Sequence, residues 1–174
     1  MMRYNVSQLL KAHSGVSRHY EMEADIQGLD EEIKPRDLLR GEIQLMRTTQ
    51  GILVTGHLRT VVELTCDRCL EPFTVPVEMD LEEEFRPTVD IGTGASLPVV
   101  EEEAGQGTID DHHTLDLAEV VRQGLLLAIP MHRLCRPDCA GLCPECGQNL
   151  NEGPCQCQRR VEDPRWAALK ELRL

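Results

Sequence analysis

Apolar and polar side chains alternate along four segments in the first half of the chain, at residues 19–26, 41–48, 52–64 and 73–81. A period of two is typical of β-strands that bury one face and expose the other. The last three segments are separated only by short turns, which favours antiparallel pairing between neighbours. We therefore predict an antiparallel β-meander of about four strands, open or barrel-like, with one buried face.

Three residues predict irregular features within this meander. Pro72 and Pro76 carry no amide hydrogen, so the fourth strand is expected to lie at a sheet edge or to be interrupted. Gly56 falls on the buried face of the third strand and has no side chain to pack there. A bulge or a bend is therefore expected at Gly56.

A helical period follows in the second half of the chain. Asp116 and Glu119 have the spacing of a capping box, and apolar residues then recur at helical intervals until Pro130. This apolar stripe predicts one long helix that covers the buried, apolar face of the sheet. The predicted fold class is therefore α+β, with the meander covered by the long helix and followed by a C-terminal, cysteine-rich zinc-ribbon segment.

Shorter helices are predicted near both ends of the chain. Residues 5–11 form the first, with Leu9 and Leu10 as its apolar anchors. Asp163 followed by Pro164 has the pattern of an N-cap and a first helical residue, and it predicts the start of the last helix.

The chain divides into two predicted parts. Residues 1–130 form the α+β domain and include an acidic loop at 86–113. Residues 131–174 form the cysteine-rich, zinc-binding segment and the C-terminal helix. Glycine and proline punctuate residues 86–113 without a regular apolar period, which indicates a loop or linker.

Charge is distributed very unevenly. The net charge of the 174 residues is −12, and residues 80–120 alone contain 12 acidic and one basic side chain. Such a segment is repelled by a phosphate backbone, because nucleic-acid binding depends on Lys and Arg. It is either a solvated acidic loop or an interaction segment for a basic partner.

The composition also bears on the compartment. No apolar run approaches the roughly 18–20 residues of a membrane span, and the first residues lack the pattern of a secretory signal. We therefore expect a cytoplasmic protein with no membrane partner. Thiols stay reduced in the cytosol, so the eight cysteines are interpreted as metal ligands or redox groups before disulfides.

Four cysteines late in the chain have the spacing of a structural zinc site. Cys143 and Cys146 are separated by two residues and followed by a glycine, so both sulfurs can turn toward one ion. Cys155 and Cys157 are two apart in an extended segment, so their sulfurs point to the same side. The turn-rich residues between these pairs would gain their order from the metal.

The other four cysteines are candidates for a second site. Cys66 and Cys69 lie at the tip of the predicted hairpin, whereas Cys135 and Cys139 follow the long helix. One or two structural zinc ions are therefore predicted. Two alternatives stay open: Cys66 and Cys69 can combine with Cys143 and Cys146, and His132 can replace a thiolate.

Catalytic patterns are absent from the sequence. It contains no glycine-rich phosphate loop, no HExxH and no GxSxG. Every candidate zinc ligand except His132 is a thiol, which is typical of structural sites rather than catalytic ones. We therefore expect a protein that is not an enzyme.

Four motifs resemble the YceD-like family of large ribosomal RNA subunit accumulation proteins. They are, in order, LTCDRCLEPFTVPVEMDLEEEF, LAIPMHRLC, GLCPECGQNLNEGPCQC and DPRWAALKEL. The resemblance implies a bacterial or plastid factor for ribosome biogenesis, needed for synthesis, processing or stability of large-subunit (23S) rRNA. It carries no catalytic residues over to this chain.

The expected partners follow from this resemblance and from the charge. A ribosomal protein, a ribonuclease or a pre-ribosomal particle suits an acidic chain with five aromatic residues, because few bases can stack on it. Direct rRNA contact is the other route, through the basic residues of 131–174, which are Arg133, Arg136, Arg159, Arg160, Arg165, Lys170 and Arg173.

The clustered cysteines late in the chain also suit a second function. Cys155 and Cys157 stand close to Cys143 and Cys146, and clustered thiolates of this kind are sensitive to oxidation. The alternative function is therefore a redox-switched zinc chaperone or a thiol sensor.

Overall fold

The computed structural model describes residues 2–97 and 107–157, and strands take up 41% of them against 10% for helices. Eight strands and two short helices follow one another within these described residues. They are β1 (Arg3–Asn5), α1 (Ser7–Leu10), β2 (Ser17–Ala24), β3 (Lys34–Pro35), β4 (Leu39–Arg47), β5 (Ile52–Thr65), β6 (Pro72–Pro87), β7 (Thr108–Ile109), β8 (Thr114–Asp116) and α2 (Ala118–Ala128).

One curled, half-barrel sheet contains seven of these strands in the order β1-β8-β7-β6-β5-β4-β2, and β3 pairs with β5 beside this path. Every pairing is antiparallel except β6 with β7. The two end strands approach each other, since the rings of Tyr4 in β1 and Tyr20 in β2 lie 5.2 Å apart. The sheet therefore curls far enough for its first and last strands to meet through side chains.

The core lies on one face of this curled sheet. Alternate residues of the long strands are buried there, as the period of two predicts. Phe85 is the largest fully buried side chain among the described residues, and Val121 and Leu125 join the same core from α2. The buried apolar positions of the three longest strands are Leu39, Ile43, Leu45, Ile52, Val54, Leu58, Val62, Leu64, Val77, Met79, Leu81 and Phe85.

The α+β prediction, with one long helix over the sheet, is wrong. Helix α2 has 11 residues and is about 16 Å long, whereas β6 has 16 residues and extends about 50 Å. The helix ends at Ile129, which is extended (φ −68°, ψ 127°) because Pro130 follows it. A helix this short packs against β6 but cannot cover the sheet, so the sheet buries its apolar face mainly by curling on itself.

The start of α2 also differs from the prediction. Leu117 is the N-cap residue and makes no side-chain capping bond, so the capping box between Asp116 and Glu119 is not formed. Asp116 Oδ1 instead accepts a hydrogen bond from the amide of Ala118, at 2.9 Å. Asp116 lies in β8, where it pairs with Arg3 of β1, and it bonds to the first amide of the helix from there.

Several sequence predictions concern single elements. The short N-terminal helix is confirmed as α1, with Leu9 and Leu10 buried. The edge position of the fourth strand is wrong for the strand as a whole, because β6 lies between β5 and β7 in the sheet. Its residues 72–85, which include both prolines, nevertheless pair with β5 alone among the described residues. The bulge at Gly56 is wrong, since β4, β5 and β6 pair through this position without a break in register.

The predicted acidic loop at 86–113 is partly structured. Its described residues include the end of β6 and strand β7, and β8 follows directly at Thr114–Asp116. The densest acidic run of the loop, at 101–103, lies outside the described residues, as does the helix predicted to start at Asp163. Neither of the two helices in the described residues has the length and apolar content of a membrane-spanning segment.

An ion-pair network attaches the segment between β2 and β3 to α2. The Arg122 guanidinium donates to Asp30 at 2.8 Å and to both oxygens of Glu119, at 2.7 and 2.9 Å. These bonds from Arg122, together with one from Gln123, lower the pKa of Glu119 to about 2. The stabilisation from this carboxylate is therefore complete above pH 4.5, its ordinary pKa, and is lost as the pH falls through about 2.

We expect Glu119 to remain ionised at pH 4 in the wild-type protein and to be largely protonated there in Arg122→Leu, because the main donor is then missing. Carbon-13 NMR of the side-chain carboxyl reports the ionisation state directly. Arg3→Leu is the matched control, since Arg3 pairs with Asp116 and not with Glu119. A wild-type titration midpoint near 4.5 would contradict this prediction.

Candidate metal centres

The first cysteine pair lies in a tight turn at the tip of the hairpin between β5 and β6. The amide of Leu70 donates to the carbonyl of Cys66, and the amide of Cys66 donates to the carbonyl of Glu71, both at 2.9 Å. Leu70 has a φ of +60°, a left-handed conformation that is uncommon for a residue with a side chain. The turn directs the sulfurs of Cys66 and Cys69 toward a common point.

The second cysteine pair repeats this turn. The amide of Gly147 donates to the carbonyl of Cys143 at 2.9 Å, and the amide of Cys143 donates to the carbonyl of Gln148 at 2.8 Å. Gly147 has a φ of +74°, and it occupies the position that Leu70 has in the first turn. Both turns are knuckles in which backbone amides are free to point at a thiolate.

The first cluster joins the hairpin tip to the segment that follows α2. Its four sulfur atoms lie within 4.8 Å of one another and belong to Cys66, Cys69, Cys135 and Cys139. Asp67 fixes the two segments together, because its amide donates to the carbonyl of Arg133 and its carboxylate accepts from the Arg133 amide, both at 2.8 Å. Three of the four cysteines are buried, and Cys135 is partly buried.

The second cluster belongs entirely to the segment after residue 142. Its four sulfur atoms also lie within 4.8 Å of one another, and they belong to Cys143, Cys146, Cys155 and Cys157. Cys146 and Cys157 are exposed, Cys155 is partly buried and Cys143 is buried. The second cluster is thus much more open to solvent than the first.

The spacing of the sulfurs fits a tetrahedral metal ion. With Zn–S bonds of about 2.3 Å, a tetrahedral zinc site places its sulfurs about 3.8 Å apart. The Sγ atoms of Cys66 and Cys139 are 3.8 Å apart, and those of Cys69 and Cys135 are 3.7 Å apart. In the second cluster the Sγ atoms of Cys143 and Cys155 are 3.4 Å apart. Both clusters could therefore hold a metal ion and are compatible with zinc.

Backbone amides favour the thiolate form at one cysteine of each knuckle. The amides of Cys69, Cys135 and Arg68 lower the pKa of Cys66 to about 6, against the effect of burial. The amides of Cys146 and Glu145 lower the pKa of Cys143 to about 6 in the same way. A thiolate is the form that binds metal, so each cluster already contains a ligand that is charged at neutral pH.

Two further thiols, one in each cluster, have a raised pKa. Burial, followed by the neighbouring thiols, raises the pKa of Cys135 to about 12. The contact with Cys146 raises the pKa of Cys157 to about 12. Thiolates packed this closely repel one another, and only a bound cation would allow all four to be charged.

The grouping of the cysteines matches one of the sequence hypotheses. The structure brings the hairpin pair together with Cys135 and Cys139, and not with Cys143 and Cys146 as in the alternative. Among the described residues, His132 belongs to neither cluster. One important residue had no signal in the sequence: Asn151, whose side-chain Nδ2 lies 3.3 Å from the sulfur of Cys139.

The comparisons with known proteins agree with the cysteine motifs. The family described as "Large ribosomal RNA subunit accumulation protein YceD" matches residues 54–173, which include all eight cysteines. An uncharacterized protein of Mycobacterium tuberculosis is 33% identical over 135 residues, which cover 78% of this chain and 62% of that protein. No solved structure matches the chain.

Plant relatives carry the same family description. The protein named "Large ribosomal RNA subunit accumulation protein YCED homolog 1, chloroplastic" of Zea mays is 29% identical over 150 residues, 73% of this chain and 51% of that protein. Its Arabidopsis thaliana counterpart is 25% identical over 152 residues, 75% of this chain and 47% of that protein. The chain thus spans about half to three fifths of the length of these relatives. Because the family match extends over well more than half of its residues, the chain belongs to the YceD family of large ribosomal RNA subunit accumulation proteins.

Proposed function

We propose that this protein is a non-enzymatic ribosome-biogenesis factor that supports synthesis, processing or stability of the large-subunit (23S) rRNA. The observation that carries the proposal is the family match over residues 54–173. The named plant relatives support it, since their description states accumulation of large-subunit rRNA. The donor set of each cluster supports a role without catalysis, because four thiols are typical of structural zinc sites rather than catalytic ones.

The two clusters act as structural zinc sites in this proposal. The first ion is held by Cys66, Cys69, Cys135 and Cys139, and the second by Cys143, Cys146, Cys155 and Cys157. Bound zinc supplies folding energy here, on the order of 10 kcal/mol or more for a site of this kind. The role of the ligands is to close residues 131–157 onto the hairpin tip and so to fix one surface for a partner.

The charge of the described residues favours a protein partner over direct contact with RNA. Arg68 donates to the carbonyl of Cys139 at 2.9 Å, and Arg133 lies 3.7 Å from a carboxylate oxygen of Glu32. Arg136 is engaged by Asn151 and Asp138. The arginines around the clusters are therefore used within the protein, and each four-thiolate zinc site adds a net charge of about −2. A basic ribosomal protein, a ribonuclease or a pre-ribosomal particle fits this surface.

Deletion of the gene is expected to lower the amount of 23S rRNA relative to 16S rRNA, because the factor acts on the large subunit. RNA quantification and sucrose-gradient profiles of the ribosomal subunits measure this ratio in the deletion strain. Complementation with the wild-type gene is the control and should restore the ratio. Equal 23S to 16S ratios and normal subunit profiles in the two strains would refute the proposal.

The exposure of the second cluster supports one alternative function, a redox-switched zinc chaperone or thiol sensor. Hydrogen peroxide oxidises two thiols to a disulfide and is itself reduced to water, and the zinc they held is released. Cys146 and Cys157 are accessible to such an oxidant. Mild peroxide should then release zinc, form disulfides and induce holdase activity, whereas full retention of zinc would exclude this function.

A further inference from the structure

Asn151 connects the two clusters through its side chain. It lies in the loop between Cys146 and Cys155, and so belongs by sequence to the second cluster. Its side-chain Nδ2 nevertheless donates to the sulfur of Cys139, a member of the first cluster, at 3.3 Å. A residue held by one cluster thus stabilises the thiolate of the other.

The orientation of the Asn151 amide follows from its partners. Its Oδ1 accepts from the backbone amide of Ala140 at 2.8 Å and from Arg136 at 2.5 Å, and both of these groups only donate. The amide nitrogen must then be the atom that faces Cys139 and the side-chain oxygen of Asn149, which is 2.9 Å away. The bond to sulfur is therefore determined by the network and not by an arbitrary choice of rotamer.

The chain between the clusters is held from both sides. From the first knuckle, the main-chain carbonyl of Arg68 accepts from the amide of Leu142 at 3.1 Å, and the Arg68 guanidinium donates to the carbonyl of Cys139. From the loop of the second cluster, the amide of Leu150 donates to the carbonyl of Gly141 at 2.8 Å. Residues 139–142 cannot shift without disturbing bonds to both clusters.

We propose that Asn151 is a positioning residue that makes metal binding at the two clusters cooperative. The inference rests on the metal sites of the proposed function. Closing the second cluster on its ion orders the loop 147–154, and the ordered loop places the Asn151 amide on Cys139. Coupling of this kind is reciprocal, so an ion in the first cluster favours binding at the second by the same factor. Loss of an outer hydrogen bond to a metal ligand typically weakens affinity by about 10–100-fold.

The test compares zinc affinities of the full chain site by site. Zinc-loaded protein is titrated with a competing chelator, native mass spectrometry counts the ions, and alkylation with peptide mapping shows which cysteines have been released. Asn151→Ala should weaken the first cluster by about 10–100-fold. Gln148→Ala is the matched control in the same loop, because Gln148 is exposed and only its main chain bonds to Cys143.

A second variant keeps the test decisive if Asn151→Ala perturbs folding. Cys146→Ser combined with Cys157→Ser empties the second cluster, and the first cluster should again lose about 10–100-fold in affinity. Unchanged affinity of the first cluster in both variants would overturn the coupling while leaving two metal sites in place. A wild-type protein that binds no zinc would instead overturn the metal sites themselves, and the coupling with them.

Discussion

Removal of the metal with a chelator at neutral pH is expected to unfold residues 131–157 and to leave the curled sheet folded. This segment contains no helix or strand and only one isolated β-bridge, between Leu142 and Asn149. Its buried apolar residues are Cys139 and Cys143, which are themselves candidate ligands. Without an ion, two side chains provide far too little burial to offset the ordering of the backbone, at about 1–2 kcal/mol per residue.

Hydrogen exchange with mass spectrometry measures this outcome along the chain. Peptides from 131–157 should lose nearly all protection after chelation, whereas peptides from β5 should keep theirs, because Leu58 and its neighbours pack in a core that contains no cysteine. Adding zinc back should restore protection in 131–157. Equal protection with and without metal would show that residues 131–157 keep their order without an ion.

The long strands could be predicted from sequence because a half-buried strand imposes its period directly on the residues. Ile43, Leu45, Val54 and Leu58 are buried and their neighbours are not. The same logic fails for β1, β7 and β8, which have two or three residues each and show no period. These strands extend the meander into a curled sheet, and their pairing depends on contacts between distant residues such as Arg3 with Asp116.

The helix shows why an apolar stripe is a weak guide to architecture. The residues after Asp116 have a helical period, and the helix exists, but its length is set by Pro130 and its role by the size of the sheet. An apolar stripe indicates that one face of the helix is buried, but it does not indicate how much of the sheet that face covers. The prediction therefore attributed burial of the apolar face of the sheet to α2, whereas the sheet buries this face mainly by curling on itself.

The two knuckle pairs could be recognised from spacing because a two-residue gap permits only a few backbone conformations. Which pair joins Cys66 and Cys69 could not, because it depends on contacts between distant segments. Gly147 gave a direct signal for the left-handed residue of the second knuckle. Leu70 gave none, although it has the same conformation, because the surrounding hydrogen bonds impose it on a residue that rarely adopts it. The contact of Asn151 with the first cluster could not be predicted either, since an asparagine in a turn has many ordinary uses.

Gly41→Ala is expected to be among the most damaging single substitutions in the sheet. A Cβ atom at Gly41 would overlap the backbone oxygen of His57 in the neighbouring strand, and it would also lie 2.9 Å from Leu58. Backbone atoms of a paired strand cannot move aside without breaking the pairing of β4 with β5. Gly56 allows a similar approach, with a Cβ only 2.7 Å from the carbonyl oxygen of Glu42, which is why its position needs no bulge.

The expected cost of Gly41→Ala is about 3 kcal/mol in the free energy of unfolding, which lowers the melting temperature by about 10 °C in a chain of this size. Circular dichroism in zinc-saturated buffer measures it while the metal sites stay filled. Gly92→Ala is the matched control, because a Cβ there meets only Asp90 Oδ1 at 3.5 Å, an ordinary contact. A shift at Gly41 as small as the control's would mean that the two strands have room to separate, and that the curl of the sheet does not depend on their close approach at this glycine.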